Sequence, residues 1–302
     1  MDLSQIAEMC RENGSFCDFN HILAPNTSMK IGGPCDAFVK VTNEKALLEA
    51  VKFCRSENIP HFILGKGSNL LISGKGLRGC VIALSSEESQ ITVNGGEITA
   101  WAGATLHSVC LAALDNSLTG LEFAYGIPGS LGGALFMNAG AYGGEIKDVV
   151  KSCRYIDEKG ELREMSAEEM LLSYRSSIFS RHDYVITSVT LELTPGDSAA
   201  IKARMEELMQ RRRDKQPLEF PSCGSTFKRP EGYFAAALIE ECGLKGYTVG
   251  GAQVSSKHSG FVINRGGATF EDVMAVVDEV KRVVLEKKGV QLECEMLVLK
   301  QP

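Results

Sequence analysis

Three short polar islands, far apart in the chain, carry residue types that do chemistry. Ser173-Tyr-Arg-Ser-Ser-Ile-Phe179 offers Arg175, whose planar guanidinium can hold a carboxylate with a two-pronged fork. Pro221-Ser-Cys-Gly-Ser-Thr-Phe-Lys-Arg-Pro230 offers hydroxyls just after a glycine turn. Leu292-Glu-Cys-Glu-Met296 sets Glu293 and Glu295 on one face of a terminal strand, because strand side chains alternate. Each island also has a plain structural reading: a surface arginine, a polar loop, solvated edge carboxylates. The apolar neighbours Leu292, Met296 and Val298 favour partial burial of a glutamate there. No GxSxG elbow is present, which argues against a Ser-His-Asp hydrolase. The histidines at 21, 61, 107, 182 and 258 are too dispersed for a zinc site, and the ten cysteines form no CxxC pair. The sequence thus implies no metal.

A fourth segment has no charge at all. From Tyr125 to Gly144 the chain reads YGIPGSLGGALFMNAGAYGG, with seven glycines in twenty residues. Such a concentration marks a place where backbone comes very close to something. Without Lys or Arg inside the segment, an anion bound there would be held by main-chain N–H groups. Apolar Leu131, Leu135, Phe136 and Met137 argue against a bare surface loop, and Pro128 and Asn138 suit turns. A second tight turn, Gly65-Lys66-Gly67-Ser68-Asn69, follows an apolar run and suits a further phosphate contact, though it lacks Walker A spacing. Gly74-Lys-Gly76-Leu-Arg-Gly79 matches GxGxxG by letter, but the strand-forming Cys-Val-Ile-Ala-Leu follows where a dinucleotide fold needs a helix.

The elements that must position these residues follow from periodicity and punctuation. Helices are predicted from Leu3 to Asn13, Glu44 to Glu57, Leu106 to Asp115, Lys202 to Arg213, Tyr233 to Glu241 and Thr269 to Lys288. The last has Val273, Val277, Val280 and Val284 on one stripe, Thr269 and Asp272 as a capping box, and Gly289 as its stop. The Arg-Arg-Arg run at 211–213 has an anion-site reading, but a solvated helix end complementing the dipole is the favoured one. Strands are predicted from Ala37 to Val41, His61 to Leu64, Cys80 to Leu84, Gln90 to Val93, Glu97 to Ala102, Val149 to Ile156, Glu161 to Met165, Tyr184 to Leu193 and Cys294 to Leu299. The first two flank a helix, an α/β unit; those from about Leu70 to Leu193 read as a mostly antiparallel α+β domain.

The 302 residues exceed one ordinary core. At 44% hydrophobic and 23% charged the chain is globular, and a net charge of −6 argues against general nucleic-acid binding. No run approaches membrane-spanning length and no signal core opens the chain, so scattered free thiols fit a cytoplasmic protein.

Taken together, NTSMKIGGPCDAFVKV (26–41), ILGKGSNLLISGKGLRG (63–79), the 125–148 segment, YRSSIF (174–179), PSCGSTFKRP (221–230) and LKGYTVGGAQVSSKHSGFVIN (244–264) resemble the UDP-N-acetylenolpyruvoylglucosamine reductase family, nearly end to end. The resemblance implies an α+β fold with an FAD-binding domain of the vanillyl-alcohol oxidase-like type. Residues 1–66 would be a small N-terminal α/β subdomain joined by the C-terminal strand at 292–302. Residues 67–200 would be a second FAD-binding subdomain, and 201–291 an α+β substrate-binding domain. It further implies non-covalent FAD, NADPH as co-substrate, and hydride delivery by way of flavin N5 to C3 of a UDP-sugar enolpyruvyl ether, in peptidoglycan precursor synthesis.

By the same resemblance Arg175, Ser225 and Glu295 are the catalytic residues. Ser225 would donate the proton to C2, Arg175 would hold the carboxylate, and a protonated Glu295 would share its charge, with Glu293 as the fallback. Cofactor contacts would come from Gly65, Lys66, Gly67, Ser68, Asn69 and Leu70, and from Ile127, Pro128, Gly129, Ser130, Gly133, Asn138, Gly140, Ala141 and Tyr142. Substrate contacts would come from Tyr174, Lys215, Arg229 and His258. Cys223 is expected to pack. The short distance from Tyr174 to Ser225 leaves no room for the inserted lid of the family's longer form. Other flavin enzymes on the same cofactor domain, and a non-catalytic flavin or nucleotide sensor, are the competing readings. The residues fix no oligomeric state and are compatible with a monomer.

Overall fold

The computed structural model describes residues 3–87 and 90–300. Its contacts divide the chain into two units, each assembled from three separate stretches. The first comprises Met1–Phe19, Ala37–Lys66 and Gly79–Arg212; the second comprises Asn20–Asp36, Gly67–Arg78 and Arg213–Pro302. This division differs from the sequential reading of 1–66, 67–200 and 201–291. Periodicity identifies elements, whereas their grouping depends on pairings between distant residues.

In the first unit, Asn43 caps the helix Glu44–Ser56 by accepting from the Ala46 N–H at 3.0 Å. The face carrying Ala46, Leu47, Ala50, Val51 and Cys54 is buried, as its spacing predicts. A four-stranded sheet has the order Phe16–Ile22, Pro34–Val41, Leu77–Leu84, His61–Leu64, the last two parallel with His61 opposite Cys80. The strand Phe16–Ile22 escapes the sequence reading because its seven residues are half-buried or exposed throughout and show no apolar alternation. A five-stranded antiparallel sheet follows, ordered Leu162–Ser166, Val150–Ile156, Val185–Glu192, Glu97–Trp101, Ile91–Asn94. Val150–Ile156 buries Val150, Cys153 and Ile156, a spacing of three that departs from strict alternation where the register shifts between Val150 and Ser152 and between Arg154 and Tyr155. Thr105 caps the helix Leu106–Asp115, and the helix Ser198–Lys215 buries Ile201, Met205 and Leu208.

The second unit is built on the helix Phe270–Lys288. Thr269 and Asp272 form the expected reciprocal capping box, and Gly289 ends the helix at φ +68°, its N–H donating to Leu285 O at 2.9 Å. The valine stripe packs in a core with Leu238, Ile239, Ala252, Val254 and Val262. A three-stranded antiparallel sheet, Thr248–Val249, Ala252–Val254 and Val262–Asn264, supplies the last three of these. The terminal strand is shorter than predicted, Leu297–Leu299, and runs parallel to Leu70–Ile72 in this same unit. Its partner is therefore not the stretch 1–66. Gly76 has a structural use: at φ +80°, a Cβ there would lie 1.7 Å from Pro34 O. The strand Leu77–Leu84 follows, which accounts for a GxGxxG match outside a dinucleotide fold.

Candidate active site

In the first unit the glycine segment folds as two tight pieces. Ser130 ends an extended stretch whose backbone meets Ala102–Leu106: Leu106 N donates to Gly129 O, Leu131 N to Ala104 O, and Gly132 N to Ala102 O, all within 2.8–3.0 Å. Ser130 is 2% exposed, and its hydroxyl accepts from Gly133 N at the start of the short helix Leu131–Phe136. A Cβ on Gly65 would stand 2.2 Å from that hydroxyl, so the two glycine-rich elements touch here. Gly140–Ala141 then pairs with Gly144–Glu145. The turn between them has positive φ at both Tyr142 (+54°) and Gly143 (+90°), the signature of a type I′ hairpin. Lys66, Pro128, Gly133 and Tyr142 are exposed along this run, while Ile127, Gly129, Gly140 and Ala141 are half-buried.

Asn138 behaves differently from these neighbours. It is fully buried at φ +41°, and its amide is engaged by protein: Nδ2 donates to Glu145 Oε2 and to Ser173 O, each at 3.1 Å, and Oδ1 accepts from Lys147 N at 2.9 Å. The Ser173 carbonyl belongs to the Arg175 island. Ser173 and Ser176 exchange both backbone hydrogen bonds, leaving Tyr174 and Arg175 at the tip of a two-residue turn with Arg175 at φ +53°. Ser177 is buried and donates to Phe136 O at 2.7 Å. The Arg175 guanidinium lies 4.9 Å from the Tyr174 ring centroid and donates to Gly140 O at 3.3 Å. Non-glycine residues in left-handed conformation cost energy and gather at functional sites. Asn138, Tyr142 and Arg175 are three of them, on adjoining loops.

The sequence reading weighs the arginine run as an anion site but sets all three arginines aside as a solvated helix end, Arg212 among them. Arg211 and Arg213 are exposed, but Arg212 is half-buried and lies over Gly126, whose Cβ would meet Arg212 Cδ at 3.1 Å and Nη1 at 3.4 Å. Burial lowers its pKa from the ordinary arginine value, with Tyr142 opposing. Positions 201, 205, 208 and 212 share one helix face, and that spacing was the available signal. The glycine segment thus has a cation beside it that its own residues do not supply.

In the second unit Ser225 and Glu295 are brought together by backbone. Glu295 N donates to Thr226 O at 2.8 Å, Lys228 N donates to Glu293 O at 2.9 Å, and Phe227 bridges Cys294. Gly224, at φ +73°, lets the chain turn into Ser225, which is exposed. Residues 292–296 are not a regular strand, and the two glutamates differ: Glu293 is exposed and pairs with Lys228 at 3.2 Å, whereas Glu295 is half-buried. Asn69 and Leu70 support this corner. Asn69 Nδ2 donates to Glu295 O at 3.2 Å, and the Cys223 thiol donates to Leu70 O at 3.1 Å. Burial pushes the Cys223 thiol up to about 12, so it is a packed group, not a nucleophile. Gly67 is buried, with a Cβ position 2.2 Å from Asn26 O, and Ser68 is half-buried.

His258 is half-buried against Phe261, and Gly260 N donates to its Nδ1 at 3.1 Å. Burial lowers its pKa, the charges of Lys245 and Lys215 add to this, and Glu240 opposes it. Arg229 stacks 4.8 Å from the ring centroid of Phe234, which is 63% exposed.

Closely packed glycine backbone with a half-buried cation beside it suits a large anionic cofactor. The family model of the FAD binding domain matches residues 34–166, which include the glycine segment. Fold and site define an FAD-binding oxidoreductase of α+β architecture. A second family model, UDP-N-acetylenolpyruvoylglucosamine reductase, C-terminal domain, matches residues 216–299. The enzyme of that name from Clostridium perfringens (strain SM101 / Type A) is 51% identical over 270 residues, 89% of this chain and 88% of that one. Its counterpart from Caldanaerobacter subterraneus subsp. tengcongensis is 48% identical over 297 residues, 98% and 97% of the two chains. The crystal structure of UDP-N-acetylenolpyruvylglucosamine reductase from Thermus caldophilus superposes with a TM-score of 0.80 at 32% identity, covering 95% of this chain and 99% of that one. The chain belongs to the UDP-N-acetylenolpyruvoylglucosamine reductase family, whose reaction lies in peptidoglycan synthesis.

Proposed function

We propose that this enzyme uses NADPH and non-covalently bound FAD to reduce UDP-N-acetylglucosamine enolpyruvate to UDP-N-acetylmuramate. The observation that supports this reading is the backbone pairing of residues 226–228 with 293–295, which brings the stretch that follows exposed Ser225 against the one that holds half-buried Glu295. When bound, FAD would supply the hydride for C3 of the enolpyruvyl group, with NADPH as its source. Ser225 Oγ holds the proton for C2; a hydroxyl is a weak acid, and a fixed position compensates against a strongly basic carbon. Arg175 grips the substrate carboxylate and stabilises the charge that spreads into it, and Glu295 in its protonated form donates a hydrogen bond to the same group. Lys215, Arg229 and His258 contact the substrate, as does Tyr174 beside Arg175.

The residues from Ile127 to Tyr142 other than Asn138, whose amide is engaged by Glu145, Lys147 and Ser173, hold the FAD pyrophosphate with the turn from Gly65 to Leu70, and Arg212 supplies positive charge beside it. Asn69 and Leu70 serve this reading chiefly as supports of Glu295 and Cys223. The enzyme acts in the cytoplasm on small molecules, without a nucleic-acid or membrane partner. Among the described residues no helix is long and apolar enough to cross a membrane.

The purified protein should be yellow; NADPH should bleach the flavin band, and the enolpyruvyl sugar nucleotide should restore it. Bleaching without restoration by that substrate would defeat the assignment.

A further inference from the structure

We infer that Asn138 is the positioning residue for Arg175, acting through the turn that presents it and not through the cofactor. This rests on the reading of Arg175 as the carboxylate-binding group.

The buried amide ties together three stretches: its own loop, the hairpin at Glu145 and Lys147, and the Ser173 carbonyl. Ser173 is one end of the turn whose tip is Tyr174-Arg175, and Arg175 in turn donates to Gly140 O, the residue paired with Glu145. The ring of contacts closes: Asn138 holds Glu145 and Ser173, Glu145 pairs with Gly140, and Gly140 receives Arg175. Glu145 is close enough to Arg175 for the arginine's charge to help lower its carboxyl pKa, after the larger effect of Lys147.

Asparagine suits this position on two independent counts. A primary amide offers two donors and an acceptor on one short stem, and all three functions are used here. Asparagine also tolerates the left-handed backbone observed at φ +41° better than most residues. Aspartate would keep the shape but lose both donors, setting a second carboxylate against Glu145 and the Ser173 carbonyl. Glycine would keep the backbone conformation and lose every bond. Ser177, donating to Phe136 O, anchors the far side of the island, so loss of Asn138 would release the arginine turn at one end only.

The test uses the FAD-loaded enzyme with Asn138→Asp and Asn138→Gly, alone and combined with Arg175→Ala. Flavin content and reduction by NADPH should match the unsubstituted enzyme. Reoxidation by the enolpyruvyl substrate should slow about 100-fold, the cost of a misplaced catalytic group. Binding of UDP-N-acetylglucosamine, which lacks the carboxylate, should be unchanged. In the Arg175→Ala background neither Asn138 substitution should slow reoxidation further. Reoxidation that is unaffected by both Asn138 variants, or slowed equally with and without Arg175, would overturn the inference. Equal losses in both half-reactions would do the same, by reducing Asn138 to general support. If Arg175→Ala alone leaves reoxidation intact, the carboxylate role of Arg175 fails first and takes this inference with it.

Discussion

The Glu295 N–H donates to the Thr226 carbonyl at 2.8 Å, and this one bond sets the half-buried glutamate beside the residue that follows Ser225. Residues seventy positions apart thereby share a corner of the second unit. Gly224 makes the turn into that corner, and Asn69 fastens the Glu295 carbonyl from the other side. Backbone bonds carry the arrangement.

Ser225→Ala should therefore fold normally and still let NADPH bleach the flavin. Restoration of the band by the enolpyruvyl substrate should slow by about 100-fold or more, the usual worth of a positioned proton donor. Stopped-flow absorbance separates the two steps. An alanine variant with normal reoxidation would remove Ser225 from the proton path.

Arg175 sits at φ +53°, a conformation that glycine adopts without the steric cost other residues bear. Arg175→Gly should leave the melting temperature unchanged or raised while nearly abolishing turnover. Arg175→Lys should also lose about 100-fold in turnover, because a point charge cannot replace the fork. Full activity in the lysine variant would mean that charge alone suffices.

Gly65→Ala drives a Cβ to 2.2 Å from Ser130 Oγ, in a place where serine is buried and caps a helix. The strain should lower stability by about 1–3 kcal/mol and weaken flavin retention. Adding Ser130→Ala should return part of that loss, since the clashing oxygen is gone. Additive losses in the double variant, measured by denaturant unfolding, would show that the two residues do not meet.

Arg212→Met keeps the apolar stem over Gly126 and removes only the charge. The FAD dissociation constant should rise about tenfold or more, the worth of one charged hydrogen bond. Equilibrium dialysis of the apoenzyme against FAD reads this directly. Unaltered affinity would make Arg212 a packing residue.

Burial lowers the pKa of His258 in the native state, helped by the Lys245 and Lys215 charges and opposed by Glu240. In the unfolded chain the imidazole takes up a proton below about pH 6.5. Stability is thus fully present above that value and is lost as the pH falls from it toward the depressed native pKa, where only the unfolded chain binds the proton. The melting temperature of the native enzyme should fall more steeply between pH 7 and pH 5 than that of His258→Gln. Parallel curves would exclude His258 as a source of acid sensitivity.

Local chemistry was legible in the sequence wherever a few consecutive residues decide the outcome. Thr269, Asp272 and Gly289 define both ends of the helix Phe270–Lys288, because capping is settled within one turn. The segment from Tyr125 to Gly144 announces close backbone approach, and the islands at Arg175, Ser225 and Glu295 carry the family resemblance by residue type alone. The tertiary structure decided what is set by distant partners. It joined Leu70–Ile72 to Leu297–Leu299, turned one of three consecutive arginines onto Gly126, and left Glu293 in solvent while half-burying Glu295. It also assigned the amide of Asn138 to Ser173, thirty-five positions away. A hydrogen-bonding group carries no mark in the sequence of which remote group will satisfy it; burial makes that choice once the chain has folded.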